Sequence, residues 1–453
     1  MRRPAGRRGR AGPLRRILTL AVALCPWATA AAQESQPRRA PQLLGAQATF
    51  IDQHLAPFHA LYSGPRSLDS AGDTKATDTY GVYWGARLTA RLQAYLDLEM
   101  ARGAGISQAE GLGGITNGDV IRQGSANLGQ GPYVARIFVR YLVPIGSSRD
   151  TVTRGMDQLP GVEPSARVEV KVGKVAASDD FVQNRYANST RTQFTNWGLF
   201  QNTAWDFAAD TRGYTWGSVV AWVHPRWSIR VGTFAMPVMA NGNTFDSSFP
   251  RARGDNVELT VRPRRTGTAL RVLVYENHAR MGNYAEALAR AAAASTVPDI
   301  AADDRPGRTK VGLGLNIEQP LADGQETGLF ARAGWSDGRN EDFAFTEVDR
   351  HLSAGLQLVG ARWRRAADRF AIAYVLHGLS PDHRAYLAAG GSGFLLGDGR
   401  LRYGVEGILE AYYRAQLGPY VFVSPDLQWI RHPGYNRDRG PATVVSLRLN
   451  LRY

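Results

Sequence analysis

The chain has 453 residues, with 54 Lys and Arg, 40 Asp and Glu, and a single cysteine. One cysteine excludes a disulfide framework or a thiolate–metal centre. No apolar stretch of ~18 residues occurs beyond residue 32, which excludes helical membrane spans but not strands of alternating character.

Residues 1–32 have the order of a cleaved export signal. Arg2, Arg3, Arg7, Arg8, Arg10, Arg15 and Arg16 form a basic start, Ile17 to Ala30 an apolar run, and Ala28 to Ala32 a small-residue cleavage region. The apolar run is shorter than the ~20 residues of a spanning helix, and Pro26 interrupts it. Cys25 follows Leu24, where a lipoprotein signal wants a small residue, so that alternative is set aside. Seven of the 54 basic residues and none of the 40 acidic ones leave with this segment, so the remainder carries +7. Its charges of both signs are interleaved, and no basic cluster with aromatics points to nucleic acid. The expected organisation is a signal at 1–32, a short periplasmic segment at 33–47, and a barrel over 48–453.

From residue 48 onward the dominant period is two. Strands are expected at 48–55, 79–88, 91–100, 133–142, 166–175, 213–223, 227–236, 255–263, 268–277, 309–319, 327–337, 350–359, 370–378, 404–417, 419–430 and 442–453. In 91–100, Leu92, Ala94, Leu96, Leu98 and Met100 alternate with Arg91, Gln93, Tyr95, Asp97 and Glu99. In 133–142, Ala135, Ile137, Val139 and Tyr141 oppose Arg136 and Arg140; in 166–175, Val168, Val170 and Val172 oppose Arg167, Glu169 and Lys171. The last strand places Thr443, Val445, Leu447, Leu449, Leu451 and Tyr453 on one apolar face. That ending resembles the assembly signal of bacterial outer-membrane barrels, which implies the barrel-assembly machinery as a partner.

Periodicity alone does not distinguish a soluble barrel from a membrane one. Three features do. The chain is exported. Aromatics stand near strand ends, at Tyr80, Tyr133, Tyr141, Trp227, Trp335, Tyr420, Trp429 and Tyr453. Connection lengths alternate: those at 89–90, 224–226, 264–267, 320–326, 360–369 and 418 are short, and those between them are long. Only 143–165 breaks the short series. The fold expected is all-β, a transmembrane antiparallel barrel of about 16 strands, with short periplasmic turns and long extracellular loops. A barrel of that size leaves an aqueous channel. One helical run, at 284–295, falls in a long loop.

Six stretches in order on this frame resemble the carbohydrate-selective porins of Gram-negative bacteria, the OprB-like family. They are Gln53 to His59 with Tyr62-Ser63-Gly64-Pro65; Asn184-Arg185-Tyr186-Ala187 leading to Arg191 through Trp197; Gly213 to Gly217; Phe330 to Gly338; Tyr386 to Gly391; and Tyr435 to Pro441. Ser189 departs from the pattern, where a proline is expected. The resemblance implies passive diffusion of small carbohydrates such as monosaccharides across the outer membrane, amid lipid and lipopolysaccharide, without cofactor or metal. A homotrimer is left open.

A sugar filter needs hydrogen-bonding groups in number and aromatic faces for the ring, binding firmly enough to admit and weakly enough to release. The 176–212 connection, the longest, is the first candidate to fold into the bore, with Asp180, Asn184, Arg185, Tyr186, Arg191 and Trp197. Arg87, Arg91, Asp97, Glu99, Arg136, Arg140, Glu169 and Lys171 are the candidate wall groups beneath. The alternative cargo is a general or anion- and organic-acid-preferring pore. An enzyme is not expected: the eight histidines are scattered, and no nucleophile elbow occurs.

Overall fold

The computed structural model describes residues 42–120, 128–263 and 267–453. The expected signal at 1–32 lies outside the described residues. Eighteen strands occur among the described residues: β1 Gln42–Leu55, β2 Asp73–Arg87, β3 Leu92–Gly103, β4 Tyr133–Pro144, β5 Arg149–Val152, β6 Gly161–Pro164, β7 Arg167–Val175, β8 Thr215–His224, β9 Trp227–Ala235, β10 Arg253–Val261, β11 Ala269–Met281, β12 Arg305–Ala322, β13 Thr327–Ser336, β14 Arg350–Val359, β15 Arg369–Gly378, β16 Glu406–Gln416, β17 Val421–Arg431 and β18 Ala442–Arg452. Sixteen close a barrel of sequential antiparallel neighbours, while β5 and β6 form a separate hairpin. β1 and β18 complete the ring, with Gln47 opposite Arg452 and Leu55 opposite Val444. β1 begins at Gln42, earlier than the expected 48.

Alternation follows from the two media the wall divides. Val82, Val139, Val172, Val231, Leu313, Leu352 and Val445 point outward and stay exposed, as lipid-facing residues do. Their neighbours Gln93, Asp97, Arg140, Lys171, Lys310, Arg332 and Arg448 point inward and are covered. Two expectations about the wall change. Between Asp97/Arg136 and Leu98/Val134 the β3–β4 register slips by one, so Ala135 is a bulge residue and is fully buried. Tyr133 turns inward and donates to Glu99 at 3.2 Å, so it belongs to the bore and not to an interfacial girdle.

Three long loops fill much of the lumen. The segment 104–120 runs inside as a glycine-rich thread. Gly111 (φ +88) lies where a Cβ would come 1.9 Å from the Leu68 nitrogen, and Gly118 abuts the Phe200 ring at 2.4 Å from the same virtual atom. Only glycine fits such a passage. The 176–214 segment follows it inward. It carries a single helical turn, α1 (Trp197–Phe200), capped by the Asn196 side chain, which accepts from the Gly198 N–H. The segment 337–349 is the third. The expected helical run forms α2 (Tyr284–Ala294), capped by Asn283, and α3 (Pro381–Ala388) lies in the loop between β15 and β16.

Candidate pore lining and constriction

One wall of the lumen stays open. A cavity of about 1010 Å³ lies against β3, β4 and β7 and reaches Tyr420 and Tyr453 at the end that carries the short turns, here the inner end. Its sides are built of ion pairs between wall and loop. Asp179 follows directly on β7 and grips Arg136 through two oxygens, at 2.7 and 2.8 Å. Asp180 takes the Lys171 ammonium at 3.0 and 2.8 Å. Arg191 reaches down from the loop to Glu99 at 2.8 Å and Asp119 at 2.7 Å. Arg140 is shared by Glu163 and Glu169, at 2.6 and 2.8 Å. Tyr214 closes the group by donating to Glu99 at 2.5 Å.

The electrostatics of the loop groups follow their partners. Burial opposes ionisation of Asp179, but the Arg136 guanidinium outweighs it and holds the carboxyl below its usual range. At Asp119 burial wins over Arg191 and pushes the carboxyl up. The Arg191 guanidinium, despite burial, is held firmly cationic by Asp119 and Glu99.

Above the ion pairs stands an aromatic face. Trp197 stacks on Phe345 at 4.7 Å and 20° and lies parallel to Phe207 at 6.2 Å and 9°. Phe200 meets the Trp197 edge at 5.0 Å. All four rings line the cavity.

Of the residues expected at the site, Asp180, Arg191, Trp197, Glu99, Arg136, Arg140, Glu169 and Lys171 line this cavity. Asp97 lies behind Arg136, 3.3 Å from it, and braces rather than lines. The others are elsewhere. Asn184 is buried against β12, donating to Asn316 at 2.8 Å. Tyr186 is fully covered, and its hydroxyl reaches the Gln325 carbonyl at the inner end at 2.8 Å. Arg185 beside it is exposed and binds Glu318 only through its backbone N–H. Arg87 and Arg91 lie at the inner end of the β2–β3 pair, Arg91 in the turn itself, outside the cavity lining. Phe200, Phe207, Phe345, Asp119 and Asp157 are lining residues that sequence reasoning did not single out. For Asp119 the signal was the run Gly111 to Gly118, a thread that only a tight internal path requires.

The scattered histidines also find partners. His377 contacts Glu406 at 3.0 Å, and His383 contacts Asp349 at 3.1 Å. Asp342, Asp349 and His383 converge with ligand atoms within 4.8 Å of one another. Lys310 already forms an ion pair with Asp342 and lies 3.4 Å from Asp206, so the cluster reads as a charged knot tying 337–349 to the wall.

A family model described as carbohydrate-selective porin, OprB family, matches residues 85–453. No curated protein matches the chain. Among solved structures, the high-pH form of Pseudomonas putida OprB is similar at 15% identity and a TM-score of 0.68, covering 91% of this chain and 94% of that one. The low-pH form of the same porin follows at 13% identity and a TM-score of 0.47, covering 91% and 93%. An anion-selective porin from Comamonas acidovorans stands at 9% identity and 0.48, covering 92% and 100%. With its sixteen-strand barrel and the family match over most of its length, the chain belongs to the carbohydrate-selective porins of the OprB family and is a sugar-selective channel of the outer membrane.

Proposed function

We propose that the channel selects small neutral sugars, monosaccharides foremost, by a two-part filter: the aromatic face of Trp197, Phe207 and Phe345, then the paired charges around Arg191, Arg136, Lys171 and Arg140. The observation that carries this reading is the pairing itself. Each of those four cations lies within 3.0 Å of a carboxylate oxygen. Paired charges present dipoles, not a net field, so a free anion gains little from them. They still offer remaining N–H donors and carboxylate lone pairs in fixed directions, which suits a ring of hydroxyls. The ring's apolar face takes the aromatic surface. An anion- or organic-acid-preferring pore would leave these four cations without carboxylate partners. Transport is diffusion down a gradient, with no covalent step. Residues 1–32 act as the cleaved export signal in this reading, and the β18 strand ending at Tyr453 serves recognition by the barrel-assembly machinery.

The test is liposome swelling by purified protein with glucose, a disaccharide, a neutral amino acid and an anion of matched size. Glucose is expected to enter faster than its size-matched competitors. Trp197→Ala is expected to reduce that preference by roughly fivefold, equivalent to ~1 kcal/mol of lost aromatic contact. Equal rates for all small solutes, or strong anion selectivity in reversal potentials, would sink the reading.

A further inference from the structure

The 143–165 connection is the one that breaks the alternation of short and long, and its shape explains why. It leaves β4 and enters β7 at the inner end, where every neighbouring connection is a tight turn. Instead it forms the β5–β6 hairpin, with Arg149 paired to Pro164 and Val152 to Gly161. The hairpin does not hang into the periplasm. Its tip, 153–160, turns up into the bore along β4. Glu163 binds Arg140, and further up Asp157 lies 3.3 Å from Arg136. Arg136 is eight residues above Pro144, roughly 26 Å along the tilted strand at ~3.3 Å per residue, so the tip meets the wall well inside the bore. Leu159 is fully buried, its N–H 3.3 Å from the Tyr95 hydroxyl. On the other side Met156 approaches Gln47 of β1 at 3.9 Å, and Arg154 donates to the Leu44 carbonyl and lies over the Tyr453 ring at 5.4 Å. The hairpin thus spans from β4 to β1 across the inner part of the cavity.

Arg136 is the meeting point of two inserts. Asp179 grips it from the outer loop and Asp157 from the hairpin. We propose that the β5–β6 hairpin is a second selectivity element, an inner constriction in series with the outer one, in which Arg154 and Met156 set the width of the exit against Gln47, Tyr83 and Tyr420. The division of labour rests on the filter proposed above, but the size limit and the glucose preference are separate readouts, so failure of the one is distinguishable from failure of the other. Two constrictions in series divide the work: the outer one sorts by chemistry, the inner one by cross-section.

The experiment truncates the tip with Arg154→Ala and Met156→Ala together, which leaves Asp157 and Glu163, the partners of Arg136 and Arg140, in place. Single-channel conductance in planar bilayers and swelling with a graded sugar series are then read. The variant is expected to conduct several-fold more current and to admit di- and trisaccharides, while the preference for glucose over a size-matched amino acid is kept. Point variants at the exposed tip guard against misfolding: Met156→Trp should lower conductance and exclude disaccharides, and Met156→Ala should do the reverse. Unchanged conductance and size limit in heat-modifiable, folded forms of these variants would overturn the proposal. Loss of glucose preference with an unchanged size limit in the double variant would also overturn it, by assigning the tip to the chemical filter.

Discussion

The two sides of the bore carry the same kinds of inward residue and use them differently. On the β3–β4–β7 side, Arg136, Arg140 and Lys171 meet carboxylates and face open space. On the β12–β18 side, Arg332 donates to the carbonyls of Leu199, at 2.9 Å, and Ala187. Arg448 donates to those of Thr190 and Gln193, at 2.5 and 2.6 Å. Asn316 takes Val182 and Gln183, Gln428 takes Thr116, and Glu410 accepts from the N–H groups of Thr195 and Asn196. One wall faces open space and the other holds loop. An inward arginine is therefore defined by its partner and not by its position on the strand.

The comparison can be broken most severely from the packed side. Arg332→Ala combined with Arg448→Ala strips the partners from four loop carbonyls, each buried group costing ~1–3 kcal/mol when left unsatisfied. The loop should leave the lumen, conductance should rise several-fold and sugar preference should vanish. Single-channel recording checks this, and retention of wild-type conductance would show that the loop holds itself in place. On the open side, Arg191→Ala removes the cation paired with both Glu99 and Asp119, while Tyr133 and Tyr214 still donate to Glu99. Breaking such a pair costs ~3–5 kcal/mol, and the uncompensated Glu99 carboxylate should turn the channel toward cations. Reversal potentials across a salt gradient measure that shift, and a change toward anions would contradict it.

The smallest effect is expected in the outer cap above the packed wall. Glu341 accepts from the Gly282 N–H at 2.8 Å, and burial together with nearby Asp304 pushes its carboxyl up to about 8. The folded state thus keeps a proton that the unfolded state releases at ordinary glutamate pH. Its contribution to stability falls as pH rises from ~4.5 to about 8, then levels off. Hydrogen-exchange protection at 282–284 and 337–349, after correction for the intrinsic rise of exchange with pH, should fall across that window in the native protein and stay flat in Glu341→Gln. Equal pH dependence in both forms would count against it.

The barrel was legible from sequence because lipid admits no exceptions on the outward face. Along the band that meets lipid every other residue had to be apolar, so the wall strands emerge within about four residues of their observed bounds, except that β1 and β2 each begin six residues earlier. The bore was less legible because polar residues belong there under either fate. Arg140 and Arg332 read alike on their strands, yet one lines the cavity and the other clamps a loop. The same ambiguity misplaced Tyr186, a loop aromatic that fits a sugar contact by type but serves as a brace against Gln325. Partners such as Asp119 for Arg191, or Asp349 for His383, lie far apart in the chain, and only folding of the long loops brings them together. The odd length of 143–165 was visible, but the upward course of its tip depends on Arg136 and Arg140 across the bore.

The packed wall grips its inserts in large part by main-chain carbonyls and N–H groups, with the side chains of Asn184, Tyr186, Thr195 and Asn196 as fixed anchors. Every residue has a carbonyl and every residue but proline an N–H, so that part of the hold is indifferent to which side chains the loop displays. Substitutions at cavity-facing positions between the anchors, such as Ser189 and Thr192, can therefore accumulate without loosening the insert, and the surface offered to cargo can drift while its scaffold stays fixed. Such an arrangement lets a lineage exchange one nutrient for another by point mutation, with no need to redesign the barrel.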